Sequence, residues 1–188
     1  MPNEGEIRPG YEFPADNEFW QYSLRVYALP GVADLCLLWQ EQYGINVNIL
    51  LWSAWLEHEG VQVTDALLDE VIAGADPWGE KVIVTIRNLR RDLKKRDLGP
   101  VGIPKSLSSM RESLLKTELK AEQCLQSWLY GVAVEFLSAP ESIHETQIPH
   151  GANIDLYLRA TIGDKTNIAP MIQQWLELSG EQNPAKPT

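Results

Sequence analysis

Apolar residues are densest over residues 45–56, the stretch on which we expect the rest of the chain to pack. Only Asn46, Asn48 and Ser53 are polar there, and the apolar residues leave no stripe facing solvent. A helix that is apolar nearly all round lies in a protein interior or in a membrane. Because a bilayer span needs about twenty apolar residues, this run is too short to cross one. The pattern therefore predicts a central core helix over about residues 46–59.

Helical spacing of apolar residues predicts further helices on both sides of this segment. Gly74 and Pro77 are expected to close a short helix, and Ser106 is expected to cap the longest one. The β-like run Val82–Thr85 lies inside a longer helical pattern, so it is not predicted to form a strand. The predicted flanking helices cover approximately residues 17–28, 32–43, 65–73, 76–96, 106–136, 153–162 and 167–179.

Together these segments predict an all-α fold, a single bundle of about seven or eight helices around the central helix. The helical domain spans residues 17–180. Pro, Gly and acidic residues dominate residues 1–16, and residues 181–188 are rich in polar residues and Pro, so we expect both ends to be mobile tails.

Length, net charge and cysteine content limit the classes of function that this protein can have. The chain of 188 residues is long enough for one domain with a sizeable core, and its formal net charge is −10. Such a charge argues against general nucleic-acid binding and against adsorption to an anionic membrane, which both need a positive surface. No secretory signal is visible at the start of the sequence, so a cytoplasmic location is expected. Cys36 and Cys124, both in apolar helical contexts, are expected to be buried reduced thiols.

Three blocks of the sequence carry a resemblance to a known family. The first block runs from Phe19-Trp20 through Tyr27-Ala28-Leu29-Pro30-Gly31-Val32-Ala33 and Gly44 to Trp55-Leu56. The second block is Trp78 with Leu89-Arg90-Arg91 and Leu93-Lys94, and the third is Glu118-Leu119-Lys120-Ala121-Glu122. They resemble an uncharacterised proteobacterial family of small proteins, a domain of unknown function expected to be helical. The resemblance implies a core over about residues 19–137 and a C-terminal helical extension over 150–180, and it implies no activity.

Positive charge is concentrated in one segment of this acidic chain. Residues 81–120 contain eleven Lys and Arg against four acids, whereas the remaining residues contain five against twenty-two. Four cations flank an apolar helical seam in this segment: Arg87, Arg90, Arg91 and Lys94. They form either a solvated or internally paired face, or a docking surface for an acidic protein partner or an anionic ligand, since Arg matches carboxylate and phosphate geometry.

Glu118 and Glu122 lie on the long helix, with Glu118 at the edge of its apolar seam. A buried carboxylate must be protonated or paired with a cation. Because the helix of Arg87 is expected to be its antiparallel neighbour, we predict that Glu118 or Glu122 pairs with Arg87, Arg90 or Arg91. Asn48, close to buried surface, must also find a hydrogen-bond partner, either in the protein or in a ligand.

No recognised catalytic or metal-binding motif accompanies these residues. The Glu-x-x-x-Glu spacing lacks the Glu-x-x-His pattern of di-iron proteins, and His58, His144 and His150 follow no ligand spacing. The sequence therefore predicts no cofactor and no catalytic residue.

The first hypothesis is a non-enzymatic interaction or regulatory protein that uses the basic hairpin at about residues 81–120 as its docking surface. The second is a small-molecule-binding protein or enzyme with a polar pocket between helices, built from Arg87, Arg90, Glu118, Glu122 and Asn48. The third is a structural homo-oligomer. The sequence leaves the oligomeric state open.

Overall fold

The computed structural model describes residues 13–94, 104–138, 148–163 and 166–180, excepting the side chains of residues 104–106, and every regular element in these ranges is helical. In chain order the elements are α1 (Glu18–Tyr27), α2 (Val32–Tyr43), α3 (Val47–His58), α4 (Asp65–Trp78), a π-helical segment (Gly79–Val84), α5 (Thr85–Asp92), α6 (Pro104–Leu137), α7 (Ala152–Ile162) and α8 (Ala169–Ser179). Because α4, the π-helical segment and α5 are continuous, the described residues form seven separate rods. The predicted all-α bundle is confirmed.

Helix α3 is the centre of the bundle, as its apolar pattern predicts. Every residue from Asn48 to Leu56 is buried, and the helix contacts α1, α2, α4, α6 and α7. Asn46 caps its N-terminus, accepting a hydrogen bond from the backbone N–H of Asn48 at 3.1 Å. Trp52 is fully buried and donates from its ring nitrogen to the carbonyl of Leu129 at 2.9 Å. Burying each large apolar side chain contributes about 1.5–3 kcal/mol, so α3 is a major source of stability.

The predicted break at Gly74 and Pro77 is wrong, because both residues lie inside α4. Gly74 serves packing instead of termination: a Cβ atom on it would lie 2.5 Å from Cη2 of Trp128 in α6. Pro77 lies on the exposed side of the helix, and the backbone pairing changes to a π-helical pattern immediately after it, over Gly79–Val84. A local change of pairing is a usual way for a helix to continue past an irregular position.

Helix α6 begins at Pro104, so Ser106 lies in its first turn and is not the predicted cap. Proline is well suited to a first turn because its missing N–H is not needed there. The predicted seam of α6 holds in its second half, where Ala121 and Leu125 are buried, but Met110 in its first half is 50% exposed. Within 107–120, the part of that first half whose side chains the structure describes, Glu118 alone is buried.

Several predicted features lie outside the described residues. They are residues 1–12 and 181–188 of the predicted tails, residues 95 and 96 of the predicted helix over 76–96, and His144. Phe13–Asp16, the described part of the predicted N-terminal tail, contact α6. The Ser127 hydroxyl donates to the Phe13 carbonyl at 2.7 Å, and a Cβ on Gly131 would lie 2.1 Å from the Phe13 ring.

The last two helices close the bundle, with bounds close to those predicted. Trp175 of α8 is fully buried and packs against Trp39 of α2, with ring centroids 6.3 Å apart. The Tyr157 hydroxyl of α7 donates to the Asn46 carbonyl at 3.2 Å and accepts from the Asn46 N–H at 2.8 Å. Of the helices described, none combines the length and the apolar character that a membrane crossing needs.

The two cysteines differ in exposure, and the prediction that both are buried is wrong for Cys124. Cys36 is buried and Cys124 is exposed on α6; both are free thiols. Burial raises the pKa of Cys36 to about 12.

Because the thiolate is the reactive form, we expect a thiol reagent at pH 8 to label one cysteine of the native protein rapidly and two in denaturant. Cys124→Ser should abolish the rapid phase, and two rapid thiols in the native wild type would contradict the burial of Cys36.

Candidate functional site

An ion-pair network joins α5 to α6 and α2, and Arg87 is its centre. Its Nε donates to Oε1 of Glu118 at 2.7 Å, and its two terminal nitrogens donate to Oε1 of Glu122 at 2.7 Å and to Oε1 of Gln40 at 2.8 Å. All three nitrogens of Arg87 are therefore engaged within the protein. Only 13% of its side chain is exposed.

Glu118 binds two arginines at once, because Arg90 donates from Nε to Oε2 at 2.6 Å and from a terminal nitrogen to Oε1 at 3.2 Å. The predicted pairing of these glutamates with arginines is confirmed for Arg87 and Arg90. Burial by itself raises the pKa of Glu118, but the hydrogen bonds and charges of Arg90 and Arg87 outweigh it and hold the pKa below its ordinary value.

Glu122 has the opposite shift although it shares Arg87. Burial is the largest influence and raises its pKa, with the negative charge of Glu118 adding to the effect, and Arg87 compensates only in part. The two carboxylates therefore differ in role: Glu118 is a fully paired anion, whereas Glu122 is an under-compensated one.

The other predicted site residues are dispersed. Arg91 pairs with Glu41 of α2 at 3.1 Å on the surface, where such a pair contributes little to stability. Lys94 is exposed. Asn48, as predicted, has a hydrogen-bond partner: its Oδ1 accepts from Nε2 of Gln126 at 2.9 Å. The structure thus brings Asn48, Arg87 and Glu122 to one place, and it leaves Arg91 and Lys94 outside it.

That place is a pocket of about 150 Å³ between α1, α2, α3 and α6. Its polar lining residues include Arg87, Glu122, Asn48 and two residues that sequence analysis did not single out, Ser23 and Gln126. Ser23 Oγ and Gln126 Oε1 are buried, and neither has a hydrogen-bond partner in the described structure. A buried polar atom without a partner costs about 1–3 kcal/mol, so such atoms need an explanation.

The mouth of the pocket is apolar. Leu24, Leu37 and Leu119 line it and are 46%, 40% and 49% exposed. No sequence signal marks Ser23 and Gln126, since each resembles any polar residue at the edge of a helix seam. Only the packing of α1 against α6 places them together.

A second, larger depression of about 520 Å³ lies at the start of α7, beside Val63 and Asp65. Its buried polar groups are already paired. The backbone N–H groups of Gly151 and Asn153 donate to the Glu57 carboxylate, and the Asn153 side chain bonds Val63 and Val61. Its polar atoms therefore hold α7 in place and leave little for a ligand.

Metal chemistry finds no support in the described part of the chain, where no three His, Cys, Asp or Glu side chains converge closely enough to hold an ion. His58 ends α3, as predicted, and its ring packs against Tyr22 with centroids 5.5 Å apart.

Comparison with known proteins identifies a family and no activity. The family described as "Protein of unknown function (DUF2390)" matches residues 18–129, which include α1 to α5 and most of α6. The matched region therefore contains the ion-pair network and the pocket, whereas α7 and α8 lie beyond it. No curated protein and no solved structure matches the chain significantly. Since the match covers more than half of the sequence, the chain belongs to the DUF2390 family, as the resemblance of its three sequence blocks predicts.

Proposed function

We propose that this is a non-enzymatic protein-interaction or regulatory protein that binds an acidic protein partner through a basic arm. The arm consists of residues 85–94 and 107–120, the outer part of the hairpin formed by α5 and α6. Support comes from its lack of a core: α5 has no buried residue, and within 107–120 Glu118 alone is buried. The ion pairs of Glu118 hold the two halves of the arm together, and Arg87 joins the arm to Glu122 and Gln40.

The observation that carries the proposal is the presence of exposed apolar side chains among positive charges. Leu89, Met110 and Leu115 are each about half exposed, at 51%, 50% and 52%. Exposed apolar groups on one segment are typical of interaction surfaces. The arm contains seven Lys and Arg against three acids in a chain of net charge −10, so charge complementarity favours an acidic amphipathic partner.

The ion pairs limit which cations are available to a partner. Arg87 and Arg90 are engaged by Glu118, so they support the arm from inside. Arg91, Lys94 and Lys116 lie on its surface, although Arg91 and Lys116 also contact Glu41 and Glu112. Such exposed pairs are weak and exchange readily for a partner's carboxylates.

A designed peptide pair tests the proposal. One peptide has Leu at helical spacing and Glu elsewhere, and the other has Lys in place of Glu. We expect the full chain to bind the acidic peptide at low salt, and the double variant Arg91→Glu/Lys94→Glu to weaken binding by about tenfold or more. The matched control is Arg25→Glu/Arg159→Glu, which changes net charge equally on exposed positions outside the arm. Fluorescence anisotropy measures the affinities.

Three outcomes would contradict the proposal: equal binding of the two peptides, equal loss in the control variant, or no binding of the acidic peptide. Analytical ultracentrifugation of the chain alone tests the alternative of a homo-oligomer. If the chain self-associates and Arg91→Glu/Lys94→Glu abolishes this, the arm binds a second copy of the chain instead of an acidic partner. Circular dichroism checks that each variant keeps its helical content.

A further inference from the structure

The pocket between α1, α2, α3 and α6 contains buried polar atoms that the arm does not use. Gln126 is 4% exposed and Ser23 is 3% exposed. Gln126 donates through Nε2 to Asn48, and this hydrogen bond leaves its Oε1 as the unpaired atom. Two unsatisfied oxygens at the edge of one cavity are a costly arrangement that a bound ligand would relieve.

The polar lining residues of the pocket offer hydrogen-bond acceptors, whereas Arg87 has no donor nitrogen left for a ligand. All three nitrogens of Arg87 already donate, to Glu118, Gln40 and Glu122. Gln126 Oε1, Ser23 Oγ and the Glu122 carboxylate remain as acceptors. A ligand head that donates hydrogen bonds fits these acceptors.

Charge favours an ammonium over a neutral donor. Burial raises the pKa of Glu122, which means that its ionised form is under-stabilised in the free protein. A cation beside the carboxylate supplies the missing compensation, because an opposite charge favours the ionised form. The apolar mouth lined by Leu24, Leu37 and Leu119 would cover a hydrocarbon chain attached to that head.

We propose that this pocket binds a small amphipathic primary amine, with its ammonium group at Gln126, Ser23 and Glu122 and its hydrocarbon part against Leu24, Leu37 and Leu119. The proposal uses none of the arm's surface cations and shares only Leu119 with the residues of the arm named here. It gives a role to Ser23 and Gln126, which the sequence pattern leaves without one.

Three six-carbon probes test the head-group chemistry on the full chain: hexylamine, hexanol and hexanoate. Calorimetry and two-dimensional NMR measure affinity and location, the latter through the side-chain amide signals of Gln126. We expect hexylamine at pH 7 to bind about tenfold or more tightly than the other two, because a charge-assisted hydrogen bond is about twice as strong as a neutral one. Equal affinity of the three probes, preference for hexanoate, or no binding at millimolar concentration would each overturn the proposal.

Two variants locate the site without threatening the fold. Ser23→Ala removes a buried hydroxyl that has no partner, so we expect stability that is unchanged or higher and roughly fivefold weaker binding of hexylamine. Leu37→Ala is matched by Leu38→Ala, since both leucines are similarly exposed on α2 and only Leu37 lines the pocket. Weaker binding in Leu37→Ala alone supports the site. If both variants weaken binding equally, or if neither weakens it, the ligand binds elsewhere and the proposal is refuted.

Discussion

Replacing Glu118 with Gln lowers the free energy of unfolding by about 3 kcal/mol at pH 7, the loss expected when one member of a buried ion pair is removed. The Glu118 side chain is 6% exposed and receives hydrogen bonds from both Arg87 and Arg90. A Gln side chain offers one oxygen and an NH₂ group that faces the same guanidinium donors. Two positive charges would then be left without their shared anion. Urea unfolding followed by circular dichroism measures the change.

The matched control is Glu122→Gln on the same helix. Glu122 accepts one hydrogen bond, from Arg87 at 2.7 Å, and burial already opposes its ionised form. We expect a loss of at most about 1 kcal/mol at pH 7, the typical contribution of a single hydrogen bond. Equal losses in the two variants would contradict the different roles assigned to the two carboxylates.

The pH dependence of the two variants should run in opposite directions. The pKa of Glu118 is lowered in the folded protein, so its stabilising effect is present above the ordinary carboxyl value of 4.5 and is lost as pH falls through the lowered pKa. The deficit of Glu118→Gln therefore shrinks in acid. The pKa of Glu122 is raised, so its contribution is present below 4.5 and is lost as pH rises through the raised pKa. The deficit of Glu122→Gln therefore grows in acid.

Replacing Asn153 with Ala should also cost about 3 kcal/mol, because it leaves a buried backbone N–H without a partner and removes two further hydrogen bonds. Asn153 is 1% exposed. Its Oδ1 accepts from the Val63 N–H at 2.9 Å, and its Nδ2 donates to the carbonyls of Val61 at 2.8 Å and Ser53 at 3.2 Å. One side chain thus ties α7 to the central helix and to the loop after it.

The control for Asn153 is Asp155→Ala in the same helix. Asp155 pairs with Arg159 on the surface, at 2.8 Å, and an exposed pair of this kind contributes less than about 1 kcal/mol. Urea unfolding of both variants checks the prediction. Similar small losses would mean that α7, which lies outside the family match, is a peripheral addition to the fold.

Sequence reasoning succeeded for features that local pattern fixes. The buried helix α3 follows from a run that is apolar except at Asn46, Asn48 and Ser53. The pairing of Glu118 follows from the cost of an isolated buried carboxylate beside a helix rich in arginine. The first property depends on residues within a few helical turns. The second depends on the free-energy cost of burying an unpaired carboxylate, which is present however the helices pack.

Reasoning from sequence failed where one residue type has two uses. Gly74 reads as a helix end, but its bare backbone makes room for Trp128, a residue far away in the sequence. Cys124 lies on α6 beside buried residues, but it is on the side of the helix that faces solvent. A periodicity predicts that a helix has a buried face, whereas the position of that face's edge depends on which neighbouring helices cover it.

The sequence by itself determined that the chain is an all-helical bundle around α3 and that its buried glutamates pair with its arginines. The reason is that burying an unpaired charge is unfavourable in every arrangement of the helices. Only the tertiary structure decided that Arg87 is shared among Glu118, Glu122 and Gln40, and that Ser23, Gln126 and Glu122 meet at one pocket. These residues come from four helices, α1, α2, α5 and α6, and the register in which helices pack is set by the whole core.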